Sequence, residues 1–180
     1  MKKSKILKWS SFLLIVFIIG FYFWPEKKLQ KGQKVDFIEV QKSKRKMLLY
    51  FKDKLVATYT ISLGAPKPWL FMHPSGQKQM EGDFKTPEGI YTIDYKKRHE
   101  LYHRSLHISY PTDEQEANAE SKGIDPGGAI LIHGLTPVNR ILGKYTKLLD
   151  WTEGCIALTD EEIEEVYKAV PTGCKIEIKP

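Results

Sequence analysis

The sequence predicts a mainly β domain, a β-sandwich or barrel with two short helices attached, preceded by one N-terminal transmembrane helix. Three observations predict it. Many short runs alternate apolar and polar residues between turn signals. Only two stretches read as helices, and both are brief. Residues 9–24 form an almost unbroken apolar run.

The N-terminal elements come first. Residues 1–8 hold Lys2, Lys3, Lys5 and Lys8 and no acid, and read as a basic cytoplasmic tail. The run from Trp9 to Trp24 would span about 24 Å as a helix, against a hydrocarbon core of about 30 Å. Ile6 and Leu7 extend it, because Lys8 can snorkel to the interface. Aromatic residues gather at its outer end, as at a membrane interface. A cleaved signal peptide is the rival reading, but bulky Tyr22-Phe23-Trp24 stands where a small-x-small site would be needed. The expectation is an uncleaved single-pass signal-anchor in the cell membrane, with everything after Pro25 on the periplasmic or extracytoplasmic side. Lys27, Lys28, Lys31 and Lys34 on the outer flank weigh against that orientation. Residues 25–34 read as a lysine-rich linker, and 35–180 as the domain.

Within 35–180 the strands follow in order. Val35 to Gln41 alternates. Lys46 to Phe51 and Leu55 to Leu63 flank Lys52-Asp53-Lys54 and predict a hairpin. Gly64-Ala65-Pro66-Lys67-Pro68 breaks the pattern, and the Gly- and Pro-rich stretch 73–89 reads as a long loop. Gly89 to Asp94, Leu106 to Tyr110, Ala129 to His133 and Gly173 to Ile178 read as further strands. Lys96 to Arg104 reads as a solvated loop. One helix is predicted from about Asp113 to Ser121, stopping at Gly123. The other begins at the capping box Thr159-Asp160-Glu161-Glu162. It lays down an apolar stripe of Ile163, Val166, Tyr167 and Val170, and ends at Pro171 and Gly173.

Composition excludes little but is useful. The net charge is +6, but four of the lysines lie in the first 24 residues, so the remainder carries only +2. That gives no reason to expect nucleic acid. The two cysteines, Cys155 and Cys174, could pair outside the cytoplasm. Cys174 lies in an alternating terminal strand and reads as a small buried residue. That leaves Cys155 as a retained reactive thiol.

The chemistry concentrates in Trp151-Thr152-Glu153-Gly154-Cys155-Ile156-Ala157 and the upstream Ile132-His133-Gly134. A thiol at its free pKa of about 8.5 is only a few per cent thiolate at neutral pH. An imidazole nearby can take its proton, and the thiolate can attack a carbonyl. A glycine next to the thiol lets backbone N–H groups approach the developing oxyanion. The pattern points to cysteine acyl transfer.

With these residues in view, the chain resembles the YkuD-type L,D-transpeptidases, enzymes of bacterial peptidoglycan. Three blocks carry the resemblance: Gly64 leading to Gly82-Asp83-Phe84-Lys85-Thr86-Pro87-Glu88-Gly89-Ile90-Tyr91, then Ile132-His133-Gly134, then Thr152-Glu153-Gly154-Cys155-Ile156-Ala157. It covers roughly 35–180 and implies an L,D-transpeptidase-like β-sandwich. Two positions depart from the family pattern: Glu153 stands where the family has histidine, and Ala157 where it has Arg or Asn. With Ser105-Leu106-His107-Ile108-Ser109-Tyr110-Pro111, they resemble the YafK-type branch, which includes members that hydrolyse peptidoglycan amide links.

The resemblance implies these roles. Cys155 is the nucleophile, and His133 the general base and later acid. The Gly134 carbonyl orients the imidazole, the N–H groups of Gly154 and Cys155 hold the oxyanion, and Thr152 steadies the loop. His107, Tyr110 and Glu153 are candidate cleft residues, with an ordinary strand role the competing reading for His107 and Tyr110. Lys85 and Glu88 read as structural or rim-facing. The implied partners are peptidoglycan stem peptides, a wall-linked lipoprotein and the membrane, and no metal or organic cofactor is called for. Three activities stand. One is a transpeptidase working through a thioester, for cross-linking or lipoprotein attachment. Another is an amide hydrolase using the same Cys/His pair. The last is an inactive wall-binding module. His99-Glu100-Leu101-Tyr102-His103 matches the zincin HExxH motif, but that motif needs a helix, and the flanking pattern leaves no room for one.

Overall fold

The computed structural model describes residues 26–65 and 76–180, together with Trp9, Phe12, Leu13, Ile15, Val16, Phe17 and Gly20. The basic tail 1–8 and most of the segment read as an anchor lie outside the described residues. Those described within 9–24 are helical, and Trp9, Phe12, Leu13, Ile15, Val16 and Phe17 are exposed. Among the described residues no helix is long and apolar enough to cross a membrane.

Among the described residues eight strands make the domain: β1 Phe37–Gln41, β2 Lys46–Phe51, β3 Lys54–Thr60, β4 Gly89–His99, β5 His103–Ile108, β6 Leu131–His133, β7 Ile156–Ala157 and β8 Lys175–Lys179. The mainly β expectation holds, with a correction. There are not two stacked sheets but one, in the order β3-β2-β1-β8-β4-β5-β6-β7. The long β4 joins its halves: Gly89–Thr92 pair with β8, and Ile93 and then Lys96–His99 pair with β5 on either side of a bulge. The bulge bends the strand, so the sheet curls. Its two ends then meet. The chain leaving β3 bridges Ser62 to Ala157 and Gly64 to Thr152. Inward residues of both halves, including Ile38, Val40, Leu49, Tyr59, Leu106, Ile108, Ile132 and Ile156, form one core. Each contributes roughly 1.5–3 kcal/mol by leaving water.

Local chemistry explains the elements. Lys52 and Asp53 both take positive φ and close the β2–β3 hairpin. Helix α1 (Asp113–Ser121) is capped reciprocally by Thr112 and Gln115. Helix α3 (Asp160–Ala169) is capped in the same way by Thr159 and Glu162, and it buries Ile163 and Val166 in the core. Two elements had no signal in the apolar pattern: helix α2 (Pro137–Leu142) and the 3-10 helix Gly143–Leu148.

The tract Lys96 to Arg104 is not a solvated loop. It ends β4 and begins β5, with Arg98 opposite Arg104 and His99 opposite His103. Its charges reach α3. Lys96 Nζ donates to the carbonyls of Tyr167 (2.6 Å) and Val170 (2.7 Å), and Arg104 Nε pairs with Glu164 (2.7 Å).

The segment 26–34 runs along the sheet. Thr58 N donates to Lys27 O at 2.8 Å, and Leu29 packs on the core. The Glu26 carboxylate accepts from Lys46 and Lys147, both at 3.2 Å. Burial opposes that charge, but Thr60 and the two lysines hold the carboxyl below its ordinary range.

Candidate active site

Cys155 lies where a glycine-led loop enters β7. Gly154 adopts φ +118°, and a Cβ there would sit 2.8 Å from Lys85 O. A Cβ on Gly64 would fall 1.8 Å from Phe84 O and 2.9 Å from Gly154 N. The Asp83–Thr86 turn, Gly64 and the thiol loop therefore pack backbone to backbone, an approach only glycine permits. The turn is held by Asp83, which accepts from Gln79 N (2.8 Å), Lys85 N (3.0 Å) and Lys78 Nζ (3.0 Å). Glu88 pairs with the buried Lys42 at 2.8 Å, so this part of the motif is scaffold.

Thr152 stitches the thiol loop together. Its Oγ1 donates to Cys155 O at 2.7 Å and accepts from Gly154 N at 3.3 Å. Its backbone pairs with Leu63 and Ala65. The Gly154 N–H is thus directed at the Thr152 hydroxyl.

β6 and β7 run parallel, with Ile132 opposite Ile156 and His133 opposite Ala157. The two isoleucines face the core, and side-chain alternation turns Leu131, His133 and Cys155 to the other face. Cys155 Sγ accepts from Leu131 N at 3.4 Å and approaches Ala129 O at 3.7 Å. The sulfur is therefore held against the start of β6, two residues from His133.

His133 Nδ1–H donates to Gly134 O at 2.6 Å. A carbonyl can only accept, so Nδ1 carries a proton, and in the neutral ring Nε2 is the basic nitrogen. Gly134 has no room for a side chain, since a Cβ would lie 2.7 Å from Asp160 Oδ1 and 2.9 Å from Ile163 Cγ2. The Tyr102 ring stacks on the imidazole at 4.2 Å between centroids, and Trp151 meets it edge-on at 5.7 Å. Ser105 pairs with His133 across β5 and β6. Ser105 Oγ and Trp151 Nε1 are buried without a hydrogen-bond partner, so unsatisfied polar atoms gather around this imidazole.

Burial raises the Cys155 thiol to about 11. The hydrogen bond from Leu131 works against that rise, the Glu153 carboxylate adds to it, and the Lys78 ammonium opposes it. Tyr102 is also raised, by burial first and then by its proximity to Cys155 and Glu153. The resting thiol is thus protonated. A thiolate therefore forms only as a substrate carbonyl takes up the sulfur's charge.

The remaining sequence-predicted residues are spread out. Glu153 is exposed beside the thiol. His107 belongs to a group on β4 and β5, hydrogen-bonded to Asp94 at 2.8 Å and stacked on Tyr95 at 4.4 Å. Tyr110 is buried, donates to Pro126 O at 3.0 Å, and borders a cleft of about 200 Å³ with Lys78 and Gln115. The HExxH motif spans the β4–β5 turn, and His103 Nε2 lies 2.9 Å from Glu164. Sequence reasoning gave Tyr102, Trp151 and Ser105 no role at the site. Tyr102 lay inside the rejected motif, Trp151 opens the Cys155 stretch, and Ser105 opens the β5 stretch quoted for the YafK-type branch.

Comparison with known proteins follows this geometry. The model of the YkuD family, described as an L,D-transpeptidase catalytic domain, matches residues 35–178. YafK of Escherichia coli (strain K12), a provisionally assigned L,D-transpeptidase, is 27% identical over 143 residues, covering 78% of this chain and 48% of YafK. The chain thus spans about half the length of that relative. Two solved structures share the fold. The helical cell shape determining protein Pgp2 (K307A mutant) of Campylobacter jejuni superposes with a TM-score of 0.58 at 22% identity, covering 83% of this chain and 49% of Pgp2. An L,D-transpeptidase from Mycobacterium smegmatis superposes with a TM-score of 0.54 at 14% identity, covering 83% and 60% of the two chains.

Proposed function

The chain belongs to the YkuD L,D-transpeptidase catalytic-domain family, and from that premise we propose that it is a cysteine acyltransferase acting on peptidoglycan stem peptides. The observation that carries the reading is the placement of His133. Its Nδ1 lies 2.6 Å from Gly134 O, on the strand beside the thiol, an orientation that suits Nε2 to the role of proton acceptor.

The steps follow from these groups. As Cys155 Sγ attacks a stem carbonyl, its proton passes to His133 Nε2 and the carbonyl oxygen becomes an oxyanion. The Cys155 N–H is the proposed donor to it, because the Gly154 N–H is already engaged by Thr152. Collapse expels the C-terminal D-amino acid, whose amine takes the proton back from the imidazolium, and a thioester remains. An amine from a second stem or a wall-linked lipoprotein then attacks, His133 removes its proton, and the thiol is restored. The domain would do this outside the cytoplasm, tethered by 9–24.

Hydrolysis is the second reading, favoured by Glu153. Its carboxylate stands exposed beside the thiol, where it could activate water against the thioester. Muropeptide analysis of sacculi treated with the protein separates the two. New L,D cross-links or attached lipoprotein mean transfer, and freed stems or released lipoprotein mean hydrolysis. Wall binding without either product, unchanged by Cys155→Ala, means an inactive wall-binding module.

A further inference from the structure

The segment joining the two reactive groups carries apolar side chains that the fold leaves outside. On α2 and the 3-10 helix, Val138 is 72% exposed and Ile141 87%. Leu142, Tyr145 and Leu148 are exposed with them. This is not a failed helix. Thr136 caps α2 and Pro137 occupies its first turn. Arg140 fixes α2 to Asp160 of α3 at 2.6 Å. A well-anchored element turning five large apolar residues outward marks a surface made for contact.

Its place in the fold indicates the contact. Lys147 of the 3-10 helix holds Glu26 at 3.2 Å. The apolar run of the sequence ends at Trp24, two residues before Glu26. Wherever that run resides, the exposed element is tied to its exit. Residues 137–148 contain no Asp or Glu and include the exposed Lys144. Exposed apolar side chains on an element free of acidic residues suit the headgroup region of an anionic bilayer.

We propose that Val138, Ile141, Leu142, Tyr145 and Leu148 form a membrane-docking surface that inserts into the headgroup layer of the membrane holding residues 9–24. The inference rests on the reading of 9–24 as an anchor. Docking here would set the height and tilt of the thiol above the bilayer, because the same segment connects His133 to Cys155.

The test uses the full chain in vesicles of phosphatidylethanolamine and phosphatidylglycerol. In a Cys155→Ala, Cys174→Ala background, Ile141→Cys carries a polarity-sensitive fluorophore, with Glu120→Cys on α1 as the reference site. Flotation reads the anchor, and quenching by nitroxide-labelled lipid reads the docking. The expected result is flotation with roughly twofold or greater quenching at 141 over 120, relieved by Leu142→Ser and Leu148→Ser. Flotation with equal quenching at the two sites overturns the docking surface and leaves the anchor standing. Failure to float overturns both. Hydrogen exchange of 137–148 in the unsubstituted chain is the second readout. It should slow in vesicles relative to detergent, and unchanged exchange counts against docking.

Discussion

The molecule holds two free thiols in contrasting surroundings. Cys174 sits at the start of β8, 4% exposed and packed in the core cluster. Cys155 is half-buried on a strained loop, with an imidazole on the neighbouring strand. Burial raises both to about 11. Thiol acidity therefore does not distinguish the proposed nucleophile from the packing residue. What differs is the neighbourhood: access to the sulfur, an imidazole on the adjoining strand, and a glycine beside the thiol. On the proposed function, reactivity at Cys155 would arise with substrate in place, whereas an electropositive site would hold a standing thiolate.

The contrast breaks most visibly at the sulfurs themselves. Cys155→Ala is expected to lower turnover by at least about 10³-fold, while Cys174→Ala leaves it within about twofold, as read by release of the terminal D-amino acid from tetrapeptide stems. Next in size is His133→Ala, with a loss of about 10²–10⁴-fold in kcat at neutral pH that recovers in part at alkaline pH. Recovery is the informative part, since a merely misfolded variant would not regain activity.

Gly154→Ala probes the loop. A Cβ at φ +118° and 2.8 Å from Lys85 O should cost about 1–3 kcal/mol of stability and most of the activity, measured by thermal melts beside turnover. A smaller effect sharpens the electrostatics. Alkylation of Cys155 by iodoacetamide should rise about tenfold per pH unit up to about pH 10, and Glu153→Gln should shift the curve to lower pH and speed alkylation several-fold at pH 8. A midpoint near that of a free thiol would remove burial from the account. The smallest effect concerns Cys174. Its folded value lies above its ordinary value of about 9, so its contribution to stability is complete below pH 9 and fades as pH rises through about 11. The stability gap between wild type and Cys174→Ala should narrow over that window.

Much of this was legible in the sequence, and the exceptions have physical causes. Period-two runs placed β1 and β2 within two residues and β3 within three, and the Thr159 capping box placed α3. The second half of β4 was not legible, because Lys96, Arg98 and Arg104 signal solvent, and only the folded chain brings up the carbonyls and Glu164 that receive Lys96 and Arg104. β7 is two residues long, too short to show a period. The curl of the sheet depends on a bulge between Ile93 and Lys96, which no alternation pattern encodes. Helix α2 hid for the opposite reason. Its apolar residues face outward, so the burial logic that finds helices passes over it. At the site, Cys155, His133 and Gly134 were readable from their neighbours in sequence. Tyr102, Trp151 and Ser105 were not, because each reaches the imidazole through tertiary pairing.

The most direct test is intact-mass analysis with peptide mapping after brief mixing with tetrapeptide stems. The account predicts an adduct on Cys155 equal to the stem less its terminal D-amino acid, labile to hydroxylamine, and strongly reduced in His133→Ala. Product formation with Cys155 unmodified, or an adduct carried by Cys174, would contradict it.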